Sequence, residues 1–353
     1  MNDTRARTTE LEAVHALLAS LGIDPEELLR LRSEELEAPD FKSYISRVAD
    51  AVSPGTRRVY ATYWAKVTAE WGPRPITSVS AIEVSQLAEK VRTSAVKRRN
   101  GRGGRGAAEH LVGALRCIYR FAVADGIMTE DDNPASHVPK PRRRLSTRHA
   151  LPDTRLTEIF ETAAATGNDP SLDALLLRLH TETACRRGGA LALTPDDLDP
   201  DQCLILLREK AGTMRWQPVS PTLMSHLIAH AESRGGLHSG QRLFRYADGR
   251  QITARRYDHL WQRLGKHLPW VAAQQVSTHW IRHTVLTWVE RNFGFAVAQA
   301  YAGHEDHGRS AGTLATYIRA GLPEVAAALA VLTGEPHPLA ISTDAPARSS
   351  PDP

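Results

Sequence analysis

Cysteine is scarce in this chain of 353 residues: Cys117, Cys185 and Cys203 are the three present, and no two of them form a CxxC pair. Such spacing argues against a zinc site and a disulfide framework, and it fits a reducing compartment. Long apolar runs are also missing: no stretch reaches the length of a membrane span, and residues 1–10 lack the core of a signal peptide. We therefore expect a soluble, cytoplasmic protein without a membrane partner.

The chain also lacks a large charge excess, since 44 Lys and Arg residues against 40 Asp and Glu residues give a formal charge of +4. The placement of the charges says more than their sum. Residues 1–38 carry nine acidic residues against four arginines, and their leucines recur at helical spacing. Because acidic groups repel phosphate, we interpret this segment as an acidic helical leader that packs or contacts protein, with a merely solvated leader as the alternative.

The sequence of residues 39–137 indicates a small helical domain. Four stretches with apolar residues at helical spacing are separated by turn residues such as Gly72-Pro73, and the last stretch closes at Gly126. Residues 138–150 follow as a basic linker, whose two prolines favour an extended chain.

Residues 151–335 predict a larger unit in which helices surround one hairpin. Its strands are expected at 203–207 and 216–219. The tail, 336–353, is rich in Pro, Ser and Ala, which predicts disorder. The fold class is therefore mainly α: an N-terminal helical domain followed by a mixed α+β domain with a small antiparallel sheet.

Two basic stretches are candidates for phosphate contacts. The segment 92–105 joins two predicted helices and carries six basic residues and no acidic one, and the linker carries a second group. Such runs are often only solvated surface, but their position at a domain edge and in an extended linker suits contacts along a duplex backbone. The candidate residues are Lys97, Arg98, Arg99, Arg102 and Arg105 in the loop, and Lys140, Arg142, Arg143 and Arg144 in the linker.

Cationic side chains and one tyrosine recur in order along the second half of the chain. The residues are Arg186, Lys210, His279, Arg282, His304 and Tyr317. Cations of this kind stabilise the charge that builds on phosphoryl oxygens, and a phenolate is a covalent nucleophile. Taken singly, each residue has an ordinary structural explanation. The joint pattern suits attack on a phosphodiester without a metal.

The segments around these residues resemble the boxes of the tyrosine recombinases, also called the phage integrase family. Residues 183–193, TACRRGGALAL, resemble the box T-G-x-R-x-x-E-x-x-x-L, and residues 279–284, HWIRHT, resemble H-x-x-R-H-T. The hairpin around Lys210, the Ala302-Gly303-His304 segment and the run from Thr313 to Tyr317 resemble the remaining boxes. The resemblance covers about residues 150–335.

The resemblance implies a site-specific DNA recombinase of integrase type, with a SAM-like core-binding domain at 39–137 and a catalytic domain at 151–335. It implies double-stranded DNA as the partner, held in a C-shaped clamp, with two protomers on one site and four in a synapse. It implies no cofactor and no metal. The last helix, near 323–332, would dock on a neighbouring protomer or pack on its own domain.

The same resemblance implies a role for each candidate residue. Tyr317 would attack the phosphorus and form a 3′-phosphotyrosyl bond. Arg186 and Arg282 would hold the non-bridging oxygens, a task that suits the guanidinium fork. Lys210 would protonate the leaving 5′-oxygen. The two histidines, His279 and His304, would bond the phosphate or assist proton transfer.

Two features depart from the family pattern. Gly189 stands where the pattern has an acid, so the support of Arg186 is left open. The separation of 13 positions between His304 and Tyr317 is longer than the usual one. A second tyrosine, Tyr301, lies nearby but on the wrong side of the histidine box, and we rank it below Tyr317.

Three other functions stay open at this level. The missing acid at Gly189 favours a non-catalytic DNA-binding protein on the same scaffold. A type IB topoisomerase shares the chemistry. A metallohydrolase would use His279, His283 and His304, although no glutamate accompanies the histidine pair as in HExxH.

Overall fold

A computed structural model describes residues 18, 20, 38–96, 102–140, 149–209, 212–236, 238, 240–303 and 320–340. The chain divides into two compact units, Met1–Leu145 and Ser146–Pro353. The division falls within the segment expected to be a linker. Of the acidic leader, the structure describes residues 18 and 20, which are helical, and residue 38.

Within the described residues 38–96 and 102–140, the first unit contains four α-helices. They are α1 (Phe41–Ala51), α2 (Pro54–Trp71), α3 (Ala81–Ser94) and α4 (Arg105–Ala124). Side chains satisfy the free amides at the helix starts: the Asp40 carboxylate accepts from the Ser43 amide at 2.7 Å, and Ser80 and Glu83 form a capping box. The four helices bury one apolar core, in which Phe41, Leu111 and Ile118 are fully inaccessible.

Arg116 holds the segment by which the chain leaves the first unit. Its guanidinium donates to the carbonyl oxygens of Ala135 and Val138, both at 2.9 Å. Val138 is buried in the core of the unit. The first residue expected in the linker is therefore part of the first unit, and Lys140 is the last described residue before the gap at 141–148.

The second unit is mixed, as predicted. Its helices are α5 (Asp153–Ala165), α6 (Pro170–Thr183), α7 (Arg187–Ala192), α8 (Pro221–Ser233), α9 (Ala254–His267), α10 (Pro269–Gln274), α11 (Thr278–Ala302) and α12 (Leu322–Thr333). Its strands are β1 (Leu198–Asp199), β2 (Leu204–Arg208) and β3 (Met214–Pro218), in the order β1-β2-β3 and antiparallel throughout. The prediction of a mainly α fold with a small antiparallel sheet is confirmed.

The elements that the sequence did not predict are short or interrupted. The helices α7 and α10 have six residues each, which is less than two full turns of hydrophobic periodicity. The helix α11 runs to Ala302, past a non-helical Gly294 with φ 83° and ψ 170°. A glycine takes this backbone conformation easily, so the chain turns there and resumes the helix.

The end of the chain differs from the expectation of a disordered tail. Residues 336–340 have defined backbone positions, and His337 is buried with its Nε2 atom 3.1 Å from the Cys203 carbonyl oxygen. This part of the prediction was wrong, because composition does not register a single buried contact. Residues 341–353 lie outside the described residues.

The last helix, α12, packs within its own unit. Val325 and Ala328 are buried in the same core as residues of α11, and Leu329 is also buried. Immediately after the helix, the Glu335 carboxylate accepts from Arg178 of α6 at 2.7 Å and from the Thr222 amide of α8 at 3.1 Å. In the single chain the helix thus packs on its own domain, which is one of the two arrangements considered. Among the described helices, none combines the length and the apolar character that a bilayer crossing requires.

A buried histidine lies at the centre of the second unit. The His180 Nε2 atom is 2.9 Å from the Tyr257 hydroxyl, and its Nδ1 atom is 3.1 Å from the Cys185 carbonyl oxygen. Burial, with a smaller effect of Arg282, lowers the pKa of His180 to about 4. The pKa of a second histidine, His230, is also lowered to about 4, mainly by burial.

We expect the second unit to lose stability as the pH falls from about 6.5 towards 4. An unfolded histidine binds a proton near pH 6.5, whereas folded His180 binds it only near 4. The stabilisation is thus present above pH 6.5, and His180 alone accounts for about 3 kcal/mol of loss across the window. Urea unfolding at pH 7, 6 and 5 measures it.

The matched comparison is between His180→Gln and His259→Gln, the latter at an exposed position. The His180→Gln variant should show a shallower dependence of the free energy of unfolding on pH, and His259→Gln should not. Equal slopes in the wild type and in His180→Gln would contradict the assignment.

Candidate active site

The turn between α6 and α7 positions Arg186. The helix α6 ends at Thr183, and Ala184 follows with a left-handed backbone (φ 48°), its amide donating to the His180 carbonyl at 3.0 Å. Cys185 is buried beneath this turn. Arg186 is then the N-cap residue of α7, with an extended backbone, and its side chain is 39% exposed. The turn therefore presents the guanidinium of Arg186 at an accessible edge.

The second arginine, Arg282, comes from α11 and is buried. Its Nη1 atom donates to the Ala184 carbonyl and its Nη2 atom donates to the Ala302 carbonyl at 2.7 Å. Burial, reinforced by the nearby charge of Arg186, lowers the pKa of Arg282 to about 10. Arg282 therefore ties the turn before Arg186 to the C-terminal end of α11 while it remains a cation at neutral pH.

A carboxylate, Glu209, lies between the two arginines. It follows β2 on the inward face that also carries Ile205 and Leu207, and its side chain is 1% exposed. Its Oε1 atom accepts from the Arg186 backbone amide at 2.8 Å, and its Oε2 atom pairs with the Arg186 guanidinium. The same Oε1 atom lies 3.9 Å from Nη1 of Arg282. One buried carboxylate thus holds both guanidiniums in place.

A third guanidinium, Arg215, enters from β3. It donates to the Gln217 side chain and to the Thr183 carbonyl, the latter at 3.4 Å, while its Nε atom is buried and has no hydrogen-bond partner among the described residues. Burial lowers its pKa, against the opposing attraction of Glu209. Three guanidiniums and one carboxylate leave a formal charge of +2. Such a cluster suits an anion, because a phosphate oxygen supplies acceptors for cationic donors in a shielded site.

The end of α11 fits tightly against Arg215. Gly303 caps the helix in the left-handed conformation (φ 62°), and a Cβ at this position would overlap the Nε and Cδ atoms of Arg215. Two residues earlier, the Tyr301 hydroxyl donates to the Glu182 carbonyl, and burial raises the pKa of this phenol. Tyr301 is therefore a structural anchor, which agrees with its low rank as a nucleophile.

Of the six predicted catalytic residues, the structure describes three. Arg186 and Arg282 meet at Glu209. His279 lies three residues before Arg282 in the first turn of α11 and is exposed. The other three lie outside the described residues. Lys210 follows Glu209 directly, His304 follows Gly303 directly, and Tyr317 lies farther along the gap that begins at His304.

The predicted phosphate-contact residues are described in part. Arg105 is exposed at the start of α4, Lys140 is exposed, and Arg102 lies in a 3₁₀ turn before α4. Lys97, Arg98, Arg99, Arg142, Arg143 and Arg144 lie outside the described residues. Over the residues that are described, no group of three or more His, Cys, Asp or Glu side chains could hold a metal ion.

Sequence reasoning missed Glu209 and Arg215 as members of this cluster. Both are in the hairpin that suggested Lys210, and a signal was available. Glu209 continues the inward alternation of Ile205 and Leu207, and Arg215 alternates with exposed Met214 and Trp216. An acid and a base on the inward face of one hairpin predict a buried pair or a functional site.

Comparisons with known proteins agree on one fold. Residues 150–319 match the model of the phage integrase family. Tyrosine recombinase XerD of Mycobacterium tuberculosis is 30% identical over 215 residues, which are 56% of this chain and 65% of that relative. The chain therefore spans less than two thirds of the relative that it matches.

Solved structures extend the likeness to the first unit. The structure of a lambda integrase dimer bound to a COC′ core site matches this chain with a TM-score of 0.59 at 14% identity. The match covers 88% of this chain and 86% of the lambda integrase chain. The structure of a lambda integrase tetramer bound to a Holliday junction matches with a TM-score of 0.60 at 15% identity, and the match covers 88% of this chain and 90% of that integrase chain. At these identities the likeness is one of fold.

We expect Gly303→Ala to destabilise the second unit more than Gly334→Ala. Both glycines cap helices in the left-handed conformation, but a Cβ at Gly334 meets open space and a Cβ at Gly303 meets Arg215. The strain that both variants share is about 1 kcal/mol, and Gly303→Ala must also displace Arg215. Urea midpoints of the two variants measure the difference. Equal midpoints would show that Arg215 does not depend on this contact.

Proposed function

We propose that the chain is a member of the phage integrase family, whose model residues 150–319 match, and that it is a site-specific tyrosine recombinase. In this function it cleaves and rejoins duplex DNA through a 3′-phosphotyrosyl intermediate, without metal or ATP. One observation carries most weight: two arginines from distant parts of the sequence, Arg186 and Arg282, share the buried carboxylate of Glu209. A positive cluster fixed in this way is preorganised for a phosphate.

The chemistry assigns one task to each residue. The Tyr317 hydroxyl gives its proton to one of the two histidines, His279 or His304, as its oxygen attacks the phosphorus. The bond to the 5′-oxygen breaks, and Lys210 gives its proton to that oxygen. The phosphotyrosyl ester conserves the bond energy, so a 5′-hydroxyl of a partner strand reverses the step. Arg186, whose side chain is partly exposed, binds a non-bridging oxygen, with His279 and His304 as further donors.

Arg282 acts from a more buried position. Its two terminal nitrogens are engaged by the Ala184 and Ala302 carbonyls, so its first contribution is to fix the geometry of the turn that carries Arg186. The positive charge of Arg282 also attracts the phosphate, and because the Arg282 side chain is buried, water screens this attraction only weakly.

A non-catalytic DNA-binding protein was favoured by one feature, the glycine at position 189. The contacts of Glu209 with Arg186 support the enzymatic proposal instead. A Cβ on Gly189 would lie 3.5 Å from the Oε1 atom of Glu209, so a carboxylate is present beside the position where the family pattern has one.

Double-stranded DNA is the proposed partner, with a dimer on one site and a tetramer in the synapse. Lambda integrase has been solved as a dimer on a core site and as a tetramer on a Holliday junction. In the present chain, residues 39–137 would supply the core-binding domain, and Arg105 and Lys140 would contact the DNA backbone together with the neighbouring basic residues.

A nicked suicide duplex tests the chemistry. Footprinting first finds the DNA that the protein protects, and a nick beside the cleavage point then lets the cleaved product diffuse away. We expect the wild type to accumulate a covalent protein–DNA adduct with EDTA present, Tyr317→Phe to form none, and Tyr301→Phe to retain adduct formation. An undiminished adduct in Tyr317→Phe, or its loss in EDTA, would contradict the mechanism.

Salt titration tests the DNA contacts. Each phosphate contact that is lost should reduce the slope of log Kobs against log salt by about 0.9. We expect this reduction in Arg105→Ala and in Lys140→Ala. The control is Lys90→Ala, whose ammonium already pairs with Glu70 at 2.7 Å, and whose slope should stay that of the wild type. Unchanged slopes in the two test variants would remove these residues from the interface.

A further inference from the structure

We infer that Glu209 is a positioning residue for Arg186, and that it supplies from the end of β2 the carboxylate that the family pattern places on α7. This inference rests on the proposed recombination chemistry. It concerns a residue that lies one position before the expected proton donor, Lys210. It also explains how Arg186 is supported although Gly189 has no side chain.

The first argument is the contact pattern of Glu209. Its Oε1 atom accepts from the Arg186 backbone amide at 2.8 Å, and its Oε2 atom pairs with the Arg186 guanidinium. Bonds to both the main chain and the side chain of one arginine fix the backbone turn and the direction of the guanidinium together. A surface ion pair has no comparable effect on geometry, because its side chains remain mobile and solvated.

The second argument is the space beside Gly189. A Cβ there would lie 3.3 Å from Cγ and 3.5 Å from Oε1 of Glu209. A glutamate at 189 would therefore direct its carboxylate into the volume that the Glu209 carboxylate fills. The two positions compete for one place, so glycine at 189 and glutamate at 209 form a compatible pair.

The third argument is electrostatic. Glu209 is 1% exposed and lies among Arg186, Arg282 and Arg215. Without a carboxylate in the centre, the guanidiniums would repel each other in a shielded setting, and Arg186 would move towards solvent. Glu209 thus sets the distance between the phosphate-binding cations before DNA arrives.

The test exchanges the two positions. On the nicked suicide duplex at saturating DNA, Glu209→Ala should slow adduct formation about 100-fold, the order of loss that a misplaced catalytic group causes. Gly189→Glu alone should also slow it, because two carboxylates then compete for one volume. The double variant Gly189→Glu/Glu209→Ala should form the adduct at least about tenfold faster than Glu209→Ala. Gly189→Glu would then slow the reaction in the wild type and speed it in Glu209→Ala, a change of sign that two independent substitutions do not give.

Two further variants separate positioning from folding. Glu209→Gln keeps an acceptor for the Arg186 amide but removes the charge, and it should lower the rate at saturating DNA more than it weakens DNA binding. Asp169→Asn removes a buried carboxylate that pairs with Arg234, which is not one of the site arginines. It should lower stability while the folded protein keeps its cleavage rate.

The outcomes are distinct. No adduct from the wild type would overturn the proposed function itself. A normal adduct rate in both Glu209→Ala and Glu209→Gln, or a double variant no faster than Glu209→Ala while its unfolding midpoint matches the wild type, would overturn the role of Glu209 alone.

Discussion

The described part of the site depends on one ion pair, between the buried Glu209 and the partly exposed Arg186, and on the second arginine held close to it. Burying charge is costly unless each group is paired and hydrogen-bonded. Here the cost is offset by a bond to a main-chain amide, by the guanidinium of Arg186 and by the proximity of Arg282. The arrangement removes freedom from the cations, and it leaves a positive excess for an anion.

Neighbouring side chains hold in place the chain segments that surround this ion pair. Arg282 joins the Ala184 carbonyl to the Ala302 carbonyl, so the turn after α6 and the end of α11 share one anchor. The left-handed conformation of Ala184 is costly for a residue with a Cβ, and the family pattern has glycine at this place. The carbonyl that this turn offers to Arg282 gives a physical reason why the conformation is kept.

Periodicity and turn chemistry were enough to predict the fold class, the hairpin and most of the long helices. They missed α7 and α10, because six residues do not establish a period, and they misjudged 336–340, because the burial of His337 depends on a partner 134 positions away in sequence. The arginines were found through box spacing, and their catalytic roles stay predictions. Glu209 was overlooked because its role follows from a contact across 23 positions, which no local pattern contains.

The anchoring of the chain after α12 has a consequence for how the second unit opens. Arg178 bonds the Glu182 carboxylate beside it on α6 and the Glu335 carboxylate beyond α12, while Glu182 also accepts from the amide and hydroxyl of Ser220 at the start of α8. Three segments therefore share one network of charges. Separation of the segment after α12 takes the Glu335 carboxylate away from Arg178 and from the Thr222 amide. Opening of this segment is therefore expected to be coupled to α6 and to the start of α8, and we expect the amide hydrogens of these segments to exchange together.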